Sequence, residues 1–135
     1  MVHHLVILHK PYLDAILKGT KTTECRLSQT RRVPFGSVRK GDILWFKQSG
    51  GPIRARARAG NVTFLHPLGG PEMATLQKRY HRSLRAEPAF FERHKNARFA
   101  TLIRLKQVRP IEPIRFRKSN RLGWVVLPES PTVQP

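Results

Sequence analysis

Residues Ile53 to Gly60 read Ile-Arg-Ala-Arg-Ala-Arg-Ala-Gly, and that strict alternation restricts the local fold more than any other stretch of the chain. A helix would scatter the arginines around its axis, whereas a strand sends successive side chains to opposite faces. Ile53 to Gly60 is therefore expected to be a strand with Arg54, Arg56 and Arg58 on one face and alanines on the other. The alanine face is small enough for a helix or a barrel wall to approach closely. Neighbouring arginines in the row stand about 6.8 Å apart, twice the rise of a strand. Guanidinium groups at that spacing repel one another, so the row is either a solvated face screened by counter-ions or a ridge that tracks phosphates.

Other segments supply the rest of the sheet. Leu5-Val6-Ile7-Leu8 within His3 to His9 is a short apolar run expected to be a buried first strand, and Pro11 to Lys18 carries Leu13, Ile16 and Leu17 at helical spacing. Gly19 ends that helix, because a glycine takes the left-handed turn readily. Thr22 to Leu27 alternates as a strand. Ser28 to Pro34 is a polar, basic loop expected to overhang whatever this strand lines. A turn at Arg39-Lys40-Gly41-Asp42 leads into a strand at Ile43 to Lys47, which Ser49-Gly50-Gly51-Pro52 closes. Met73, Leu76, Tyr80 and Leu84 mark an amphipathic helix opening at Pro71, and Glu87-Pro88 starts a shorter one through Lys95 with Phe90 and Phe91 as core and edge packing. Phe99 to Val108 returns as a strand that Pro110 and Pro113 are expected to break. Ile114 to Arg121 reads as a basic loop or edge, Gly123 to Leu127 as the last strand, and Pro128 to Pro135 as a frayed proline-rich tail.

Charge narrows the function. Lys and Arg number 26 against 8 Asp and Glu, a formal net charge of +18 on 135 residues. Such an excess destabilises the compact state by self-repulsion and concentrates polyanions at the surface. Arginine dominates it, and the planar guanidinium fork suits phosphates and base edges, so nucleic acid is the expected partner. Cys25 is the sole cysteine and excludes an internal disulfide. No apolar run approaches the length of a membrane span and no leader pattern opens the chain, which points to a cytoplasmic protein. The histidines show no zinc-ligand spacing, and there is neither a P-loop nor a dinucleotide fingerprint, so no metal and no cofactor is expected.

The chemistry concentrates in Gly19-Thr20-Lys21-Thr22-Thr23-Glu24-Cys25-Arg26, at the helix-to-strand junction. Glu24 and Arg26 share one face of the strand, and Lys21 joins them only if it sits on the turn. Guanidinium and carboxylate can pair by two parallel hydrogen bonds, fixing Glu24. Lys21 is then the tunable group: desolvated beside Arg26 it is a base or nucleophile, and closer to Glu24 it stays charged and holds a phosphate. A plain ion-paired junction that stabilises the fold is the alternative. Lys21 and Glu24 are the candidate catalytic residues. Lys21, Arg26, Arg31, Arg32, Arg54, Arg56, Arg58, Ser119 and Arg121 are the candidate nucleic-acid contacts, the last two on a loop preceding the final strand.

Gly19, Lys21, Glu24 and Arg26 reproduce the pattern G-x-K-x-x-E-x-R, and the chain resembles the ASCH family of PUA-like β-barrels through this motif. The strand and helix over His3 to Lys18, the Lys40-Gly41-Asp42 turn with the strand after it, and Gly123-Trp124-Val125-Val126-Leu127 are similar to that family in order and spacing. The resemblance implies an α+β fold, a mixed β-barrel of about six strands with two or three flanking helices, in one domain over residues 1–127. It also implies RNA metabolism, with single-stranded RNA or a nucleotide as partner. Some members cleave RNA and others hydrolyse acylated cytidines. In that amidohydrolase branch a nucleophilic threonine stands where this chain has Glu24, so a ribonuclease is the nearer enzymatic alternative to an RNA-binding module.

Overall fold

The structure is a computed structural model and describes residues 1–118 and 120–131. The elements run β1 (His3–Leu8), α1 (Lys10–Lys18), β2 (Thr23–Ser28), β3 (Ile43–Gln48), β4 (Ile53–Leu65), α2 (Gly70–Leu84), α3 (Pro88–Arg93), β5 (Phe99–Ile114) and β6 (Trp124–Leu127). They form one six-stranded mixed sheet in the order β2-β5-β4-β3-β1-β6. β1 and β3 are parallel, and the other neighbours are antiparallel. The sheet curls into a half-barrel with β2 and β6 at its two edges, in the α+β class expected.

The alternating segment of β4 fixes the inner layer. Ala55, Ala57 and Ala59 are buried and pack with Leu13 and Ile16 of α1, with Val6 and Leu8 of β1, and with Leu44 and Phe46 of β3. The methyl-sized side chains of these alanines leave room for the larger residues of α1, β1 and β3 in the same cluster. On the other face, Met73, Leu76 and Leu84 of α2 and Phe91 of α3 cover Cys25, Ala100 and Leu102. Leu5, Ile43, Trp45, Ile53 and Ile114 form a third cluster, on the face of β1 and β3 turned away from α1.

Two strands are longer than the sequence suggests. β4 continues through Gly60 to Leu65, since Val62 to Leu65 pair with Ile103 to Ala100 across register shifts that absorb the glycine. β5 runs through both prolines to Ile114. Beyond Arg104, where its pairing with β2 ends, β5 has a neighbour on one side only. A proline on such an edge forfeits no ladder bond on its open side. Pro131 is buried, so the tail is packed at that point. Among the described residues, no helix is long and apolar enough to cross a membrane.

Candidate functional site

Gly19 places Lys21. The glycine takes φ 81°, and Thr20 N–H and Lys21 N–H both return to Ala15 O, at 3.0 and 3.1 Å. This wraps the end of α1 so tightly that Lys21 lies on the turn before β2, the geometry required for it to meet Glu24 and Arg26. The Lys21 ammonium is buried and donates to Leu84 O (2.8 Å) and Thr23 O (3.0 Å), and lies 3.4 Å from Glu24 Oε1. Leu84 O is a carbonyl at the end of α2, where the helix dipole favours a cation. Thr22 N–H donates to Ser83 O at 2.8 Å, so the same turn is pinned to α2 by backbone as well.

Glu24 lies between the two cations. Its Oε2 is 3.5 Å from Arg26 Nη2, while Oε1 accepts from Cys25 N–H at 2.9 Å. Burial alone would raise the Glu24 pKa, but the Lys21 ammonium, the Arg26 guanidinium and the Cys25 N–H hold it below its ordinary value, so the carboxyl is ionised. Burial pushes the adjacent Cys25 thiol up to about 12, and the Glu24 carboxylate adds to that shift.

Arg26 spans the open seam of the half-barrel. Nη2 donates to Ile7 O (2.9 Å) and Nη1 to Gly123 O (3.2 Å), so the guanidinium links edge strand β2 to β1 and to the start of β6. A Cβ on Gly123 would stand 3.0 Å from Nη1, which explains a glycine at that close approach. The indole of Trp124 lies beside it, 5.5 Å from the guanidinium carbon.

A cavity of about 430 Å³ opens along this seam. Lys21, Glu24 and Arg26 line it together with His9, Tyr12 and Ser49, and α3 contributes Phe90, Arg93 and His94. Tyr12, Arg93 and His94 were not singled out in the sequence, and Phe90, read there as core and edge packing, lines the cavity. Phe90, Arg93 and His94 stand at i, i+3 and i+4, so helical periodicity marks them as one face, but nothing local shows that this face meets the motif. A second groove, lined by Ser28, Thr30 and Arg32, shares Leu27, Arg93 and His94 with the cavity and prolongs it past the end of β2.

Among the described residues, the other candidates, Arg32 of the groove apart, lie outside the cavity and its continuation. Arg31 and Arg32 are exposed on the loop after β2. The register shift between Ile53 and Ala55 breaks the arginine row. Arg54 turns to Gln48 (2.8 Å) and to Asp14 of α1 (3.2 Å), whereas Arg56 lies over Trp45, with 5.1 Å between guanidinium carbon and ring. Arg58 donates to Gly41 O at 3.2 Å. Arg56 and Arg58 face Arg109 and Lys106 across the β4–β5 ladder, and none of the three arginines lines the cavity. Burial, followed by Arg109 and Arg58, lowers the pKa of Arg56. Arg121 is exposed before β6, and Ser119 lies outside the described residues. Among the described residues, no three His, Cys, Asp or Glu side chains are grouped to hold a metal ion.

The family model for the ASCH domain matches residues 6–117, and the chain belongs to that family. Crystal structures of an ASCH protein from Zymomonas mobilis share the fold. One has a TM-score of 0.73 and 19% identity, covering 93% of this chain and 87% of that one. A variant of the same protein gives 0.73 and 20% over the same shares of the two chains. No curated protein matches the sequence.

Proposed function

We propose that this protein binds RNA, with a single strand laid along the seam cavity and the groove that continues it. The observation that carries this reading is the charge of the lining. Arg26, Arg32 and Arg93 face the cavity and groove, and the one carboxylate among the lining residues, Glu24, is turned onto Lys21, Arg26 and Cys25 N–H. The cavity suits one nucleotide, and its apolar walls at Tyr12 and Phe90 offer rings to a base. The half-buried Arg56 and Arg58, opposed by cations across the ladder, form a second basic surface for phosphates farther along the strand.

Turnover in the same cavity is the second reading, favoured by the titratable side chains around it. Lys21 has its protons directed at two carbonyls and a carboxylate, and Glu24 stays ionised, so both hold charge in place. His94 donates Nδ1–H to Phe90 O at 2.8 Å, which leaves Nε2 as its free nitrogen for proton transfer.

The test incubates the pure protein with labelled single-stranded RNA, duplex DNA and an acylated cytidine, following anisotropy and products together. Binding should favour the single strand and weaken with salt, by about 0.7 in log–log slope for each phosphate contacted. Tighter binding to duplex DNA, or no salt dependence, would refute the binding reading. Product from the RNA or the nucleoside would establish the enzyme.

A further inference from the structure

Four rings pack together where the loop after β2 meets the ends of β4 and β5. Phe35 lies 5.2 Å from Phe64 and 5.0 Å from Phe99, ring centre to ring centre, and His66 stacks on Phe99 at 4.0 Å with 7° between the planes. None of these rings belongs to the three buried clusters. Phe64 is 38% exposed and His66 is exposed, so the group forms a surface and not a core. Single exposed aromatics are common, but a contiguous set of them marks a contact site.

Charge identifies the occupant. Arg31 lies over Phe35 with its guanidinium carbon 5.0 Å from the ring centre, and Arg98 is exposed next to Phe99. Arg32, the next residue after Arg31, lines the groove that continues the seam cavity. Ser28, which also lines that groove, pairs with Phe99 in the β2–β5 ladder. A chain passing over residues 29–32 therefore leaves a row of cations and meets a set of rings. Phosphates followed by unpaired bases match that sequence of surfaces; the bases of a duplex, already stacked, do not.

We propose that Phe35, Phe64, His66 and Phe99 form a base-stacking platform for single-stranded RNA, with Arg31 beside it as a phosphate or stacking contact. The proposal rests on the RNA-binding reading and assigns to this surface a share of the preference for unpaired bases, beside the rings of Tyr12 and Phe90 in the cavity.

The experiment measures anisotropy of a labelled 12-nucleotide RNA and of an abasic ribose-phosphate strand of equal length, with wild type, Phe64→Ala and Phe64→Trp. Phe64 lies outside the three cores, so both variants should fold, and their thermal unfolding is followed so that a loss of binding can be told from a loss of fold. Wild type should hold the RNA about tenfold more tightly than the abasic strand, the lower part of the range for a base on one ring. Phe64→Ala should bind the RNA more weakly and narrow that advantage, while Phe64→Trp should keep both. Equal affinity of wild type and Phe64→Ala for RNA, or of wild type for both strands, would overturn the platform while leaving electrostatic RNA binding intact. Failure of wild type to bind either strand would refute the RNA reading itself. A dimer in sedimentation that Phe64→Ala dissolves would assign the rings to a second copy and overturn the proposal.

Discussion

Replacing Glu24 by Gln tests whether the motif is an ion-paired joint. The carboxylate is buried, 3.4 Å from Lys21 Nζ and 3.5 Å from Arg26 Nη2, and the substitution removes its charge while keeping its shape. Removing one partner of a buried ion pair costs about 3–5 kcal/mol, because the other charge is left uncompensated. The lower end applies for two reasons. Gln retains an oxygen for Cys25 N–H, and Arg26 keeps its carbonyl partners with a side chain 24% exposed. The stranded charge is then chiefly Lys21, so Glu24→Gln should lower stability by about 3 kcal/mol at neutral pH in urea unfolding. Lys21→Met combined with it should show a coupling of about 1–3 kcal/mol in a double-mutant cycle. The pH dependence has a definite sign. Glu24 titrates below its ordinary value of 4.5 in the folded protein, so its contribution is complete above that value and is lost as pH falls through the folded pKa. The gap between wild type and Glu24→Gln should hold steady above that pH and narrow in acid. A loss under about 1 kcal/mol, or additivity in the cycle, would refute the joint.

Two further outcomes are expected. Cys25 is buried with its pKa pushed up to about 12, so iodoacetamide should leave it unmodified in the native protein at pH 8 and label it once the protein is unfolded; rapid native labelling would contradict the packing of β2 under α2. Arg56→Gln with Arg58→Gln removes two like-charge cross-strand oppositions but also the Trp45 contact and the bond to Gly41 O, so the protein should stay folded and, if both arginines contact phosphates, the salt slope of RNA binding should flatten by about 1.4. A slope that does not change would return both arginines to screened surface.

The elements of the fold were legible because each had a local cause. Leu13 and Ile16 gave α1 its period, Gly19 its end, and the alternation of β4 its buried alanine face. The lengths of β4 and β5 were not legible, since a register shift absorbs Gly60 and Pro110 lies where β5 has one open edge, and both are set by pairing across the sheet. The same limit applied to the site. Spacing put Glu24 and Arg26 on one face and required Lys21 on the turn. It carried no information on Leu84 O, Ile7 O or Gly123 O, the backbone acceptors from distant segments that hold Lys21 and Arg26. The arginine row looked uniform because alternation assumes a straight strand, and the register shift beside Arg54 breaks that assumption.

The hydrogen bonds divide the motif's labour. An ammonium has three protons, and those of Lys21 face Leu84 O, Thr23 O and Glu24 Oε1, so a ligand reaching Lys21 must first displace a partner. A guanidinium has five N–H groups. Among the described residues those of Arg26 meet Ile7 O, Gly123 O and Glu24 Oε2, which leaves one Nη1–H and the Nε–H for something in the cavity. Lys21 and Glu24 thus set the position of Arg26, and Arg26 is the motif residue able to touch a phosphate without dismantling the joint. On the RNA-binding reading, the remaining contacts would fall to side chains with fewer ties, chiefly Arg93 at the end of α3 and His94 just after it. The turn that buries Lys21 against Leu84 O also anchors the end of α2, from which α3 follows after three residues. Loss of the Lys21–Leu84 contact should therefore loosen the α3 wall of the cavity as well as the seam, and weaken RNA binding through residues that Lys21 does not touch.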